Sequence, residues 1–164
     1  MKRTVCFLSF FLFVLANTCF GSMQLPIIDG VDAQIYIRTF NEKNSNLKFQ
    51  EVTHDNHPRF GEMYDCRLTD NRSMLSFGIK EDKIYMLSMI APIDNYMPAL
   101  ETLAFVLSEG GMSQEGIGKL HDNLVKAYKS GQAHIIDRTD KEFQIEATPM
   151  EKSLFVGVSC WEKE

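Results

Sequence analysis

The stretch from Ser73 to Leu107 constrains the fold of this chain more than any other part of the sequence. Residues 73–80 and 83–91 are rich in strand-forming apolar side chains, and the polar pair Glu81 and Asp82 between them suits a tight turn. After this hairpin, apolar residues recur at helical spacing as far as Leu107. We therefore predict a β-hairpin followed by a helix that folds back over one face of the hairpin.

The register of this hairpin decides which side chains share a face. A turn at 81–82 pairs residue 79 with 84, 77 with 86 and 75 with 88, and alternation places these side chains together beneath the helices. Phe105 falls on the outer side of the predicted helix. Side chains with no evident cover suit a ligand or partner surface, since methionine repacks and tyrosine is amphipathic. The predicted surface consists of Met74, Tyr85, Leu87, Met89 and Phe105. The alternative is that these residues belong to a two-sided core.

The N-terminus has the layout of a secretory signal peptide. Lys2 and Arg3 precede an uncharged apolar run at 5–16, which is short for a membrane span, and small residues follow at Gly21 and Ser22. We predict a signal peptide at 1–21 and a single domain at 22–164. A retained membrane anchor is the alternative. No membrane span is expected in the mature chain, which we place outside the cytoplasm, either secreted or periplasmic.

The remaining pattern predicts helices and strands in separate runs. Residues 33–44 fit a helix capped by Asp32 or an alternating strand, and we favour the helix because an Asn- and Ser-rich stretch follows it. Another helix is predicted from Ser113 to about Lys129. The predicted strands outside the hairpin are 47–53, 60–68, 133–137, 142–147 and 153–161. Whether the last three strands share the sheet of the hairpin is left open.

This order of elements, α-ββββ-αα-βββ, predicts an α+β fold. Strand runs separated from helix runs are typical of a mainly antiparallel sheet, here of about five to seven strands, with helices packed on one face. The parallel doubly wound class requires strict alternation of strands and helices, which this sequence lacks.

Two cysteines remain in the mature chain after Cys6 and Cys19 leave with the predicted signal peptide. An even number of cysteines in an oxidising compartment favours a disulfide. We therefore predict a bond between Cys66 and Cys160, which would join a central strand to the last one. Two free buried thiols are the alternative.

The segment 54–57 is the most suggestive cluster of chemically active residues. It lies in a predicted loop at 54–58, and His54, Asp55 and His57 are ligand types that zinc prefers. A solvated turn is the alternative, because His, Asp and Asn also suit turns. If the fold brought Glu51, Glu62 or Asp65 close, the same loop would fit an extracytoplasmic hydrolase.

The net charge of the chain and its lack of known motifs indicate which class of partner it could bind. Removing residues 1–21, which hold two basic residues and no acidic one, changes the net charge from −5 to −7, which argues against binding to nucleic acid. No motif points to a cofactor or names a reaction. We therefore predict a noncatalytic binding module for a protein, a peptide or a small apolar ligand, with a homodimer through a sheet edge as a further alternative.

Overall fold

In a computed structural model of the chain, residues 23–29, 32–44, 46–57 and 61–163 are described. These residues form four helices and seven strands in the predicted α-ββββ-αα-βββ order, except that the last predicted helix is divided in two. The elements are α1 (Ala33–Lys43), β1 (Phe49–His57), β2 (Gly61–Leu68), β3 (Met74–Lys80), β4 (Lys83–Pro92), α2 (Met97–Glu109), α3 (Gln114–Gly118), α4 (Leu120–Ser130), β5 (His134–Arg138), β6 (Glu142–Met150) and β7 (Ser153–Trp161).

All seven strands belong to one antiparallel sheet in the order β1-β2-β3-β4-β7-β6-β5. The predicted α+β fold is therefore confirmed. Strand β4 pairs with β7, so the last three strands do join the sheet of the hairpin. The hairpin thus lies in the middle of the sheet, and β1 and β5 are its two edges.

Helix α1 confirms the helical interpretation of 33–44. The side chain of Asp32 accepts a hydrogen bond from the backbone N–H of Ile35 at 2.9 Å, as an N-cap does. Its buried stripe includes Tyr36 and Phe40. The ring of Phe40 stacks on Phe49 at 4.0 Å, and the ring of Tyr36 meets Phe77 edge-on at 6.4 Å. These contacts fix α1 over the outer strands of the sheet.

Helix α2 confirms the helix that was predicted after the hairpin. Its N-cap is Tyr96, which makes no side-chain capping bond, and the nearby Asp94 pairs with Arg72 at 3.0 Å. Ile93 and Met97 at the start of this segment are 41% and 44% exposed. Further along the helix, Leu100, Leu103 and Leu107 are buried.

The predicted helix from Ser113 divides at Lys119 into α3 and α4. Ser113 is the N-cap of α3, as predicted, and accepts a hydrogen bond from the N–H of Gly116 at 3.0 Å. Gly131 ends α4 with a φ of 65°, a left-handed value that glycine adopts without strain. Helix α4 packs on β5 and β6.

The described helices pack on the same face of the sheet. Their buried side chains form one core cluster with strand residues that include Leu75, Phe77, Leu87, Val156 and Val158. We call this the helix-covered face. Alternation places a second set of side chains on the other side of the sheet. We call it the helix-free face, and it carries Met74, Ser76, Gly78, Met86, Ser88, Ile90, Phe155 and Gly157.

Candidate functional site

A bulge in β4 changes the predicted hairpin register. Glu81 and Asp82 form the turn with φ of 52° and 57°, and Ile79 pairs with Ile84 as predicted. The next pair is Gly78 with Met86, so Tyr85 is an extra residue of β4. From this point the predicted register is wrong by one residue. Phe77 pairs with Leu87 rather than Met86, and Leu75 pairs with Met89 rather than Ser88.

This shift exchanges the two faces of β4. Leu87 and Met89, which we placed on the uncovered surface, are fully buried core residues of the helix-covered face. Phe105 is also covered, because its ring meets Phe40 of α1 edge-on at 5.8 Å. Met74 does lie on the helix-free face, and Tyr85 is half-buried at the bulge, where its carbonyl accepts from the side chain of Gln24.

A row of small side chains crosses the helix-free face. Ser76 of β3 lies opposite Ser88 of β4, which lies opposite Gly157 of β7, and Glu146 of β6 continues the row. Larger side chains stand on both sides of this row. They are Met74, Ile90 and Phe155 on one side, and Met63 and Met86 on the other. The face therefore has a shallow trough with a small-residue floor and apolar walls.

The side chains of this trough are shielded from solvent although the described helices pack on the other face. Met86 is 8% exposed, Phe155 is 6% exposed and Ser88 is 4% exposed. Among the described residues, Met86 and Phe155 are the two buried hydrophobic side chains outside the core cluster. Their burial does not come from the helical core, so the trough is a distinct apolar environment.

Glu146 places a carboxyl group with a raised pKa at one end of the trough. Burial raises the pKa of its carboxyl to about 6, because a charged carboxylate loses hydration there. No hydrogen bond or ion pair to the Glu146 side chain is formed within the part of the chain that the structure describes. A half-buried carboxyl without a partner favours a site that takes up a proton or a ligand donor.

A second, smaller apolar groove lies at the N-terminal end of α2. It encloses about 170 Å³, and it is lined by Ile93, Tyr96, Leu124, Val125, Tyr128 and Leu154. The Tyr96 hydroxyl lies 3.0 Å from Nε2 of His121, whose side chain is exposed. This groove has room for about one large side chain.

The predicted loop at 54–58 is wrong, because β1 continues through His57. Neighbouring residues of a strand point to opposite faces, so His54 and Asp55 do not converge from one side. Instead, Nε2 of His54 lies 3.9 Å from the carboxylate of Glu62, and its ring stacks on Tyr64 at 4.5 Å. The described residues contain no group of three metal-ligating side chains. The side chain of His57 lies outside them, so metal binding here stays a prediction.

The predicted disulfide between Cys66 and Cys160 is wrong, because both are free and buried. Cys66 lies on β2 and Cys160 on β7, with β3 and β4 between them. Three strand spacings amount to about 14 Å, whereas bridged Cα atoms lie within about 7 Å of each other. Burial raises the pKa of both thiols, to about 11 for Cys160. Sequence spacing could not reveal this strand order.

The trough has a sequence signal, but alternation along a single strand does not reveal it. Small residues alternate with larger ones at matching positions of three strands, around Ser76 in β3, Ser88 in β4 and Gly157 in β7. The signal appears only after these strands are aligned, and the alignment depends on the bulge at Tyr85 and on the β4–β7 pairing.

Comparison with protein-family models, with curated proteins and with solved structures finds no match to this chain. Within the described ranges, none of the helices is long and apolar enough to cross a membrane. The predicted signal peptide at 1–21 lies outside the described residues.

Proposed function

We propose that this protein is a noncatalytic binding module that holds an apolar segment of a protein or peptide in the trough of the helix-free face. The observation that carries this proposal is the burial of Met86 and Phe155 outside the core cluster. Apolar side chains gathered on a sheet face outside the helical core favour an interaction site. The proposed binding surface therefore lies on the side of the hairpin away from the helices.

The shape of the trough favours an extended or helical segment over a small ligand. Its floor crosses β3, β4 and β7, which is about 10 Å between the outer two strands. Ser88 and Gly157 lack large side chains, so a bound segment can approach the sheet closely. Met86 and Met74 supply flexible walls that repack around different apolar side chains.

The proposed site of action is outside the cytoplasm. The positive start, the uncharged apolar run and the small residues at 21 and 22 support export. Sequencing the N-terminus of the exported protein tests this part of the proposal. We expect a start near residue 22, and an intact N-terminus would contradict cleavage.

Filling the trough tests the proposed binding surface. We expect Ser88→Phe to place a ring over the small-residue floor and to weaken binding of the apolar dye 8-anilinonaphthalene-1-sulfonate to the exported protein at least tenfold. Ser108→Phe is the matched control, because Ser108 is exposed on α2. Fluorescence titration gives both affinities, and thermal unfolding confirms that the variants are folded. Equal dye binding by the two variants, or none by the parent protein, would contradict the proposal.

An extracytoplasmic hydrolase is the second candidate function. It is supported by the proximity of His54 to the carboxylate of Glu62, which also accepts hydrogen bonds from Tyr64 and Gln34. A hydrolase would need a nucleophile within reach of the histidine. Hydrolysis of a p-nitrophenyl ester that disappears in His54→Ala would support this candidate over the binding module.

A further inference from the structure

The two edges of the sheet differ in how well they could pair with another strand. At one edge, β5 has only five residues and is interrupted by a bulge between Ile135 and Asp137, and both features hinder pairing. At the other edge, β1 has nine residues, and from Glu51 onward it pairs with β2 without interruption. Every residue from 51 to 56 is exposed. Strand β1 is therefore the edge that can accept a further strand.

The hydrogen bonds of β2 show which backbone groups of β1 point to this open edge. The N–H of Leu68 donates to the carbonyl of Ser73 at 2.9 Å, so the backbone of Leu68 points to β3. Backbone groups alternate in direction along a strand, so those of residues 62, 64 and 66 also point to β3. Val52 and His54 lie opposite two of these residues. Opposite residues of an antiparallel pair either bond to each other or both point away, so the backbone groups of Val52 and His54 point outward.

Side chains occupy both ends of the β1 edge and leave its middle open. The side-chain amide of Asn41 donates to the carbonyl of Phe49 at 2.8 Å and accepts from its N–H at 2.7 Å, as a neighbouring strand would. The carboxylate of Asp55 accepts from the N–H of the next residue at 2.8 Å. Within the described ranges, nothing bonds to the outward N–H and C=O groups of Val52 or His54. These four groups form an open window between the two occupied ends.

The side chains beside this window are mainly acidic on the helix-free side of the sheet. Glu51 and Asp55 flank the window there, and Asp65 of β2 lies opposite Thr53. Arg67 lies 3.8 Å from Glu51 and offsets one of the three negative charges. A strand that pairs here therefore places its own side chains beside a surplus of negative charge, which favours basic side chains.

A second copy of the chain fits this edge poorly. Two copies that used all four groups would pair Val52 of each with His54 of the other, and Glu51 would then lie opposite Asp55 twice. Like charges directly opposite each other destabilise a strand pair. If His54 lay opposite His54 of the other copy instead, Val52 would face Asn56, whose N–H is already bonded to Asp55. The acidic residues therefore oppose self-pairing, as charges on sheet edges do.

We propose that the edge of β1 at 51–55 binds an extended segment of another protein that carries basic side chains, and that this segment joins the sheet as an eighth strand. The outward groups of Val52 and His54 supply the backbone hydrogen bonds, and Glu51 and Asp55 select basic residues four positions apart in the segment. Strand β1 lies two strands away from Ser76, the nearest residue of the trough floor. The inference is therefore independent of the proposed function.

Calorimetric titration of the purified protein with synthetic peptides tests this inference. The probe is acetyl-Thr-Lys-Val-Thr-Val-Lys-Thr-amide, whose lysines match Glu51 and Asp55 and whose valine N–H groups face positions 52 and 54. We expect it to bind with a Kd below about 1 mM. N-methylation of both valines removes the bonding donors and should weaken binding at least tenfold. N-methylation of the central threonine is the matched control and should change the Kd less than twofold, because that N–H points away from β1.

Charge reversal tests the acidic side chains from both partners. Replacing both lysines of the peptide with glutamate should weaken binding at least tenfold, and so should Glu51→Lys combined with Asp55→Lys in the protein. Glu101→Lys combined with Asp122→Lys is the matched control, because both residues are exposed on helices and the net charge changes equally. Thermal unfolding confirms that the variants are folded.

The inference would be overturned if the lysine peptide did not bind, or if both kinds of N-methylation weakened its binding equally. Loss of peptide binding in Ser88→Phe would also overturn it, because the peptide would then occupy the trough. Analytical ultracentrifugation tests the remaining occupant. A dimer that dissociates in Val52→Pro would make a second copy the partner of this edge, since proline removes one outward N–H and is tolerated on edge strands.

Discussion

The two faces of the central strands differ in what their side chains do. On the helix-covered face, Phe77 and Leu87 are fully buried in one cluster with the helices. On the helix-free face, the same strands carry Ser76 and Ser88, with Met86 as a buried residue outside that cluster. Because side chains alternate along a strand, one hairpin supplies a structural face and a face suited to binding.

This difference separates stability from recognition. Large apolar residues that interdigitate with helices contribute to the free energy of unfolding, because their removal leaves a cavity. Small residues between flexible apolar ones contribute little to a core, but they leave room for an incoming side chain. Substitutions on the two faces should therefore have different effects, although they lie on neighbouring residues.

The largest expected effect is a difference in stability between two substitutions that each remove an aromatic ring, one on each face. Phe77 is fully buried and contacts the rings of Tyr36 and Phe49 at 6.4 and 5.8 Å. We expect Phe77→Ala to lower the free energy of unfolding by about 3–5 kcal/mol, as cavities in cores do. Phe155→Ala should cost about 1 kcal/mol in the exported protein, because that face is not part of the helical core. Urea denaturation of both variants measures the difference.

Equal losses in the two variants would mean that both faces belong to one two-sided core. Titration with the apolar dye is the second measurement for the pair. Phe155→Ala should weaken dye binding by the exported protein several-fold. Dye binding by Phe77→Ala is compared only under conditions in which that variant is folded.

Much of the fold could be predicted from the sequence because it depends on local patterns. The cap at Asp32, the turn at Glu81 and Asp82 and the alternation of the strands each depend on residues close together in the chain. These local signals were sufficient for the order of elements and for the α+β class. They also identified a hairpin face without helical cover.

Which side chains lie on that face could not be predicted, because the assignment depends on one unpaired residue in β4. A bulge at Tyr85 moves every later residue of β4 to the opposite face, and no local pattern distinguishes it from a regular hairpin. The disulfide between Cys66 and Cys160 failed for a similar reason. Both cysteines lie in strands, as predicted, but the two strands are not neighbours in the sheet. Strand order depends on packing between distant segments, which a local pattern does not show.

Substitution of Glu146 should have an intermediate effect on the free energy of unfolding, and this effect tests whether the helix-free face is shielded from solvent. Burial raises the pKa of this carboxyl to about 6 in the folded protein, from an ordinary value of 4.5. The folded state therefore retains a proton that the unfolded state loses, so stability falls as pH rises from about 4.5 to about 6. We expect Glu146→Gln to raise the free energy of unfolding by about 1 kcal/mol at pH 7.5, since half-burial reduces the full effect. At pH 4 the difference should vanish.

Urea denaturation at the two pH values measures this effect, with Glu101→Gln as the control. Glu101 is exposed on α2, so its substitution should give no pH-dependent difference. A Glu146→Gln variant with the same stability as the parent protein at both pH values would show that the carboxyl is well hydrated. The trough would then be more open than its buried side chains indicate.

The smallest effect is expected at the outer edge of the helix-covered face, where the helical cover ends. The side chain of His54 is 45% exposed, and its contact with the Glu62 carboxylate spans 3.9 Å. Exposed pairs of this kind contribute little, so His54→Ala should change the free energy of unfolding by at most about 0.5 kcal/mol.

Thermal unfolding with and without zinc measures the change and tests the predicted metal site at His54, Asp55 and His57 together. We expect no zinc-dependent shift, because His54 and Asp55 point to opposite faces of β1. A shift that occurs in the parent protein and disappears in His54→Ala would instead establish zinc binding at this edge, and the edge would then be a second functional surface beside the trough.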